Sequence, residues 1–226
     1  MKVHILKGAV FDLDGTLAST AHVHKIAWQE SLNKIGINLD IDMESLLGKR
    51  AMDIALLLIE RSGINDEKQK MAMAKKLLQV KNSIFEPYAK KYAKPMPCSI
   101  ELIEKLKKNK VKVIVVTSSL RITATKILQT ININPDVLVA GDDTDKGKPD
   151  PYPVLLALKK ASLNTDNIMF AVGDTIYDIM SFGASGIKKI YMTKSDIIVP
   201  IDDGILKNYN AIKVDSLCDI ISLEKI

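Results

Sequence analysis

Gly8-Ala9-Val10-Phe11-Asp12-Leu13-Asp14-Gly15-Thr16-Leu17 is a short apolar run that stops at two aspartates with one residue between them. The run is too short for a globular helix, and its β-branched and aromatic residues suit a buried strand. In strand geometry an Asp-x-Asp pair sends both carboxylates to one face. With the backbone turning at Gly15, one of them can instead point along the strand axis, out of the sheet. Two carboxylates this close repel unless a cation or a proton lies between them. Taken alone, the stretch also reads as an Asp-Gly turn closing a hairpin. The remainder of the chain argues against that.

Beyond Leu17 the pattern turns helical. Ala21, Ile26, Ala27, Leu32 and Ile35 recur near helical spacing, so a helix is expected over Thr20 to Ile35, stopped by Gly36. A second is expected through Ala51 to Arg61, ended by Ser62-Gly63. A third starts near Asp66, a good N-cap, and continues into the eighties. No convincing strand falls between Leu17 and Ala93, as expected of an inserted helical block, and Pro95 and Pro97 punctuate its end.

Strict alternation follows. A helix capped by Ser99 runs to about Asn109, then a strand Val111 to Val116 meets Thr117-Ser118-Ser119. A helix through Ile127 and Leu128 leads to a strand Val137 to Ala140, and a helix Pro151 to Ala161 to a strand Ile168 to Val172. A helix Ile176 to Phe182, strands near Lys189 to Met192 and Ala211 to Val214, and a terminal helix from Ser216 complete the series. The expected fold class is α/β: a Rossmann-like, doubly wound parallel sheet with an all-helical insertion. The expected division is a core of residues 1–16 and 93–226 and a helical cap of 17–92. Ligands of such sheets bind beyond the carboxyl ends of the strands, where Asp12, Asp14, Thr117, Ser118 and Asp174 fall.

Composition narrows the class. At 226 residues, 47% hydrophobic and 26% charged, the chain is ordinary for a globular protein with room for a core and an insertion. Its formal charge of +5 is spread along the chain with 5% aromatics, which disfavours a nucleic-acid partner and suits a phosphorylated small molecule. No apolar run approaches membrane-spanning length, and Asp12 and Asp14 interrupt any signal-peptide core. Cys98 and Cys218 match no metal spacing, so reduced thiols and a cytoplasmic location are expected.

Four motifs in order carry a resemblance over nearly the whole chain: Asp12-Leu13-Asp14-Gly15-Thr16, Thr117-Ser118, Lys148 within Gly147-Lys148-Pro149-Asp150-Pro151, and Gly173-Asp174-Thr175-Ile176-Tyr177-Asp178. Together they resemble the haloacid dehalogenase superfamily, in the branch with a helical cap after the first motif. The resemblance implies Asp12 as the nucleophile that forms an aspartyl-phosphate, and Asp14 as general acid and then base. It implies Mg²⁺ held by Asp12, the Asp14 backbone carbonyl and Asp174. Thr117 and Ser118 would bind the phosphoryl oxygens, Lys148 would steady Asp12 and the phosphate, and Asp178 would support the site. Asp142, Asp143 and Asp145 read as a solvated loop.

The cap would select the substrate. Thr16 at the end of the first motif counts among the substrate and cap candidates. Thr20, His24 and Trp28 resemble positions in the first cap helix of β-phosphoglucomutase-like members, and Gly48-Lys49-Arg50 resembles the specificity loop. The mutase arginine for a second phosphate would fall at Ala51, with Arg50 one residue early. Lys81 resembles a cap lysine of the mutases, although its Lys-rich helix also suits a solvated face. Asp14 argues against dehalogenases and phosphonatases. Gly173-Asp174 with Asp178 resembles hydrolytic members.

The expected function is therefore a Mg²⁺-dependent phosphatase for a small phosphate monoester, such as a sugar phosphate or phosphoglycolate. A β-phosphoglucomutase-like isomerase is the alternative, and a non-catalytic binding protein on the same scaffold the third. The expected partner is a small phosphorylated metabolite, with no nucleic acid and no membrane, in a monomer or homodimer.

Overall fold

A computed structural model describes residues 7–42, 46, 48–195 and 203–226. Six strands form one parallel sheet in the order β5 (Val137–Val139), β4 (Lys112–Val116), β1 (Gly8–Phe11), β6 (Ile168–Gly173), β7 (Ile190–Met192) and β8 (Ile212–Lys213). The chain builds outward from β1 to β4 and β5, then returns to the other side of β1 for β6, β7 and β8. The crevice at this reversal opens beyond the carboxyl ends of β1, β4 and β6, where doubly wound sheets bind ligands.

Alternation along the strands divides the core. Ala9, Phe11, Val113 and Val115 join one apolar cluster, while Val10, Ile114 and Val116 join the cluster on the opposite face. Burial on both faces explains why these strands read as continuous apolar runs. Helices α4 (Ser99–Lys108), α5 (Arg121–Thr130), α6 (Tyr152–Lys160), α7 (Ile176–Ala184), α8 (Asp203–Asn208) and α9 (Leu217–Glu224) accompany the sheet. None of the described helices is long and apolar enough to cross a membrane.

The helical insertion consists of α1 (Ala21–Lys34), α2 (Ala51–Arg61) and α3 (Glu67–Tyr92). Asp66 caps α3 by accepting the Gln69 N–H at 2.8 Å. Trp28 and Leu32 of α1 pack with Ile54, Leu58, Leu77 and Leu78 in a core of their own. Val23 and Ala27 on another side of α1 reach the sheet cluster, as does Phe85 of α3. Helix α1 thus has two buried stripes, which is why its pattern was only loosely periodic.

Three expectations need correction. A two-residue strand, β2 (Ala18–Ser19), lies inside the stretch expected to hold none, and pairs antiparallel with β3 (Lys94–Pro95). Two residues carry no periodicity, and the pairing comes from chain 75 residues away. This ribbon joins the two connections of the insertion. Helix α8 was also not foreseen. Finally, Cys98 and Cys218 are not free thiols but a disulfide with Cα atoms 5.2 Å apart across 120 residues. The packing of α4 against α9 brings them together, which no local spacing reveals, and the pairing removes the cysteines as support for a reducing compartment.

Candidate active site

β1 leads directly into Asp12, whose Oδ1 lies 2.5 Å from Lys148 Nζ. The ammonium also donates to Asp178 Oδ1 at 2.5 Å and to the Val116 carbonyl at 3.2 Å, so three segments of the core meet on one buried cation. Asp178 is fixed in turn by the start of α7. Its Oδ2 accepts the Thr175 N–H at 3.0 Å and the Thr175 hydroxyl at 2.6 Å, the reciprocal cap that opens this helix. Asp174 accepts the Thr16 hydroxyl at 3.1 Å.

Carboxylate oxygens of Asp12, Asp174 and Asp178 lie within 4.8 Å of one another. Burial and the neighbouring Asp178 and Asp174 push the Asp12 carboxyl well above its usual range, against the pull of Lys148. Burial and Asp178 raise Asp174 to about 7. Lys148, despite burial, is held above its ordinary value by Asp12 and Asp178. Three carboxylates share one ammonium, a net negative excess built from hard oxygen donors. That donor set fits a hard divalent cation such as Mg²⁺.

Asp14 lies past the strand end and is gripped differently. Its Oδ1 accepts the Thr20 hydroxyl at 2.7 Å and contacts His24 Nε2 at 2.9 Å. Its Oδ2 accepts the hydroxyls of Thr117 at 3.2 Å and Ser119 at 2.8 Å. Burial alone would raise this carboxyl; the charge and hydrogen bond of His24, with the Thr20 and Ser119 hydroxyls, outweigh it and hold it low. His24 itself is lowered by burial and by Lys81, against Asp14. Thr20, His24 and Trp28 are one helical turn apart, so α1 presents all three to the same cavity.

That cavity has a volume of about 70 Å³ and lies between sheet edge and helical insertion. Asp12, Asp14, Asp174 and Asp178 line it from the core, with Thr117, Ser118 and Lys148. His24, Gly48, Lys49 and Lys81 line it from the helical side. Gly48 needs its identity twice over: its φ is +76°, and a Cβ there would lie 2.6 Å from the Tyr177 ring. Its carbonyl accepts the Ser118 hydroxyl at 2.8 Å, and Lys49 donates to the Tyr177 hydroxyl at 3.3 Å. Both contacts hold the insertion against the core.

Arg50 does not line this cavity but an adjoining smaller one, which it shares with Thr117, Ser118 and Lys148. It stands just before α2, forms a forked pair with Asp53 at 2.9 and 3.0 Å, and donates to the Asp145 carbonyl at 2.5 Å, lying over Gly147. Asp142 and Asp143 are more than a solvated loop. Asp142 accepts the Arg121 N–H at 2.7 Å and Asp143 pairs with the Arg121 guanidinium, so both anchor the start of α5. Ser119 and Ser195 escaped the sequence reading. Ser119 stands next to a recognised motif and could have been found there. Ser195 lies three residues past β7, and only tertiary packing brings its hydroxyl into the cavity.

The sequence profile of the haloacid dehalogenase-like hydrolases matches residues 9–192. The chain belongs to this family. It is similar to a β-phosphoglucomutase of Bacillus subtilis, with 31% identity over 67% of this chain and 68% of the relative. It is also similar to a glyceraldehyde 3-phosphate phosphatase of Methanocaldococcus jannaschii, 26% identical over 98% of both chains. A crystal structure of a hydrolase from Pseudomonas syringae superposes with a TM-score of 0.79 at 26% identity, covering 97% of this chain and 99% of that one. The protein is therefore an enzyme of the haloacid dehalogenase-like hydrolase family.

Proposed function

We propose that this enzyme is a Mg²⁺-dependent phosphatase that hydrolyses a small phosphate monoester through an aspartyl-phosphate on Asp12. The observation that carries the proposal is the contrast between two aspartates two residues apart. Asp12 faces Lys148 and two carboxylates, whereas Asp14 sits among hydroxyls and an imidazole. Environments that differ this much suit separate chemical roles.

In this reading an Asp12 oxygen attacks phosphorus while the bond from phosphorus to the ester oxygen breaks, and Asp14 delivers a proton to the leaving alkoxide. Asp14 then takes a proton from water, whose oxygen attacks phosphorus. The bond to Asp12 breaks, releasing inorganic phosphate. Three of the four partners of Asp14 are hydroxyls, which accept as well as donate, so the carboxyl can hold or release a proton in place. Lys148 keeps Asp12 oriented and offsets charge on the phosphoryl oxygens. Asp12, Asp174 and the Asp14 carbonyl would hold Mg²⁺, with Asp178 supporting; the ion supplies charge neutralisation that lets a carboxylate approach a phosphate. Thr117 and Ser118 stand at the end of β4, within the same cavity, as candidates for holding the phosphoryl oxygens.

Residues 17–92 would act as a cap, with β2 and β3 as its hinge and Gly48, Lys49, His24 and Lys81 as its contributions to substrate choice. Thr16 would help orient Asp174. A mutase reading is favoured by one observation, the His24–Asp14 contact at 2.9 Å, together with the similarity to a β-phosphoglucomutase. Phosphate release from sugar phosphates, phosphoglycolate and an aryl phosphate, with Mg²⁺ or EDTA, tests the proposal. Metal-dependent release that falls at least about 10⁴-fold in Asp12→Asn supports it. Isomer formation from glucose 1-phosphate with a bisphosphate primer, and no release from any ester, would favour the mutase.

A further inference from the structure

Asp174 and Ser195 leave the sheet side by side. Gly173 closes β6 and pairs with Met192 of β7, and the Thr193 N–H donates to the Gly173 carbonyl at 3.0 Å. The exit from β7 is thereby held in register with the exit from β6. Two residues later Ser195 brings its hydroxyl to the cavity that Asp174 lines. The two side chains converge beside Gly15, where a Cβ would collide with Asp174 Oδ2 and lie 2.7 Å from Ser195 Oγ. Glycine, with a φ of +86° there, leaves both the room.

The Ser195 oxygen is buried and, among the described residues, falls short of a full hydrogen bond, an unfavourable state for a hydroxyl. The carboxylate it faces is its outlet. Burial and Asp178 raise the Asp174 carboxyl, and Ser195, Lys148 and Thr16 draw it down again. Thr16 is bonded to the other oxygen, Oδ1, at 3.1 Å. The torsion that turns a carboxylate about its own axis is broad and soft. One hydroxyl on each oxygen fixes that plane, and each oxygen keeps a lone pair for another ligand. Resting on the Mg²⁺-dependent reading, we propose that Ser195 is a positioning residue for the cation. Its hydroxyl donates to Asp174 Oδ2, opposite Thr16 on Oδ1, and sets the carboxylate in the plane a divalent ion requires. Mg²⁺ demands near-ideal octahedral geometry, so a carboxylate free to rotate is a poorer ligand for it.

Mg²⁺ affinity, read by calorimetry without substrate, tests the assignment independently of turnover. Ser195→Ala should weaken Mg²⁺ binding roughly tenfold to a hundredfold, the range for groups that orient a metal ligand. Ser195→Thr, which keeps the hydroxyl, should stay close to the wild type. Ser195→Val, the same shape without the hydroxyl, should fall with the alanine variant. The rise in unfolding temperature on adding MgCl₂ should shrink in step, while the unfolding temperature without Mg²⁺ holds. Wild-type affinity in Ser195→Ala, or a threonine variant as weak as the valine one, would overturn the assignment. So would a loss of stability equal with and without Mg²⁺, the mark of a merely structural hydroxyl. Where the alanine variant fails to fold, the threonine and valine pair decides. A wild type that binds no Mg²⁺ would overturn the assignment together with the cation. Absence of phosphate release from every ester, with Mg²⁺ bound and the Ser195 effect intact, would sink the phosphatase reading alone.

Discussion

His24 Nε2 lies 2.9 Å from Asp14 Oδ1, which ties the first helix of the insertion to a carboxylate just past the sheet edge. A carboxylate only accepts, so Nε2 carries the hydrogen of this contact. His24→Ala removes the group whose charge and hydrogen bond do most to offset burial at Asp14. The Asp14 carboxyl then rises, and less of it is ionised at a given acidic pH. Because Asp14 must carry a proton to the leaving group in the step that kcat/KM reports, the basic limb of kcat/KM should move to higher pH. A basic limb that stays in place would reject this role for His24.

Lys81 makes the opposite prediction for stability. Burial pulls its ammonium down to about 8, with Asp14 opposing, while the unfolded chain keeps the ordinary value near 10.5. Between those two values the unfolded state binds more protons, so stability rises with pH and levels off above the upper one. The difference amounts to about 3 kcal/mol. Lys81→Met should abolish the rise and raise stability at pH 7 by a similar amount, measured by urea unfolding from pH 7 to 10.5.

Lys148→Met should destabilise strongly, because Asp12 and Asp178 would be left buried without their shared cation. Loss of one partner from such a group costs about 3–5 kcal/mol. Millimolar MgCl₂ should recover part of that loss, since the same carboxylates would bind the ion more readily once the ammonium is gone. Thermal unfolding with and without MgCl₂ reads this, and a variant indifferent to Mg²⁺ would count against a cation at these carboxylates.

The Cys98–Cys218 bond spans 120 residues of chain. Closing a loop of that length restricts the unfolded state by up to about 5 kcal/mol. The double variant Cys98→Ser, Cys218→Ser should unfold at lower denaturant by up to that amount. Thiol titration of the unfolded wild type without reductant should find no free thiol.

The sheet and its site were legible because the signals were local. The apolar run into Asp12 and Asp14, the Thr117-Ser118 pair at the end of β4, and Asp178 one helical turn after Asp174 each announce themselves within a few residues. What escaped depends on distance. β2 exists because β3 lies beside it, Ser195 joins the cavity through the fold of β7, and the disulfide needs α4 and α9 to pack. For Arg50, sequence shows an arginine near the cavity but not that Asp53 one turn later takes its guanidinium. Lys81 was ambiguous for a similar reason: a lysine among lysines reads as solvated, and only the packing of Trp28 and Phe85 hides it.

The position of β1 bears on how the chain is made. It precedes both of its neighbours in the chain, sitting between β4 and β6 and pairing Gly8 with Lys112 on one side and with Ile168 on the other. A growing chain therefore exposes an apolar strand leading into Asp12 until β4 is made, and its other edge until β6 follows. The helical insertion, whose core draws on residues 28–78, can condense meanwhile on shorter loops. The segment that carries the proposed nucleophile is made before both strands that flank it and reaches its final surroundings only after they follow.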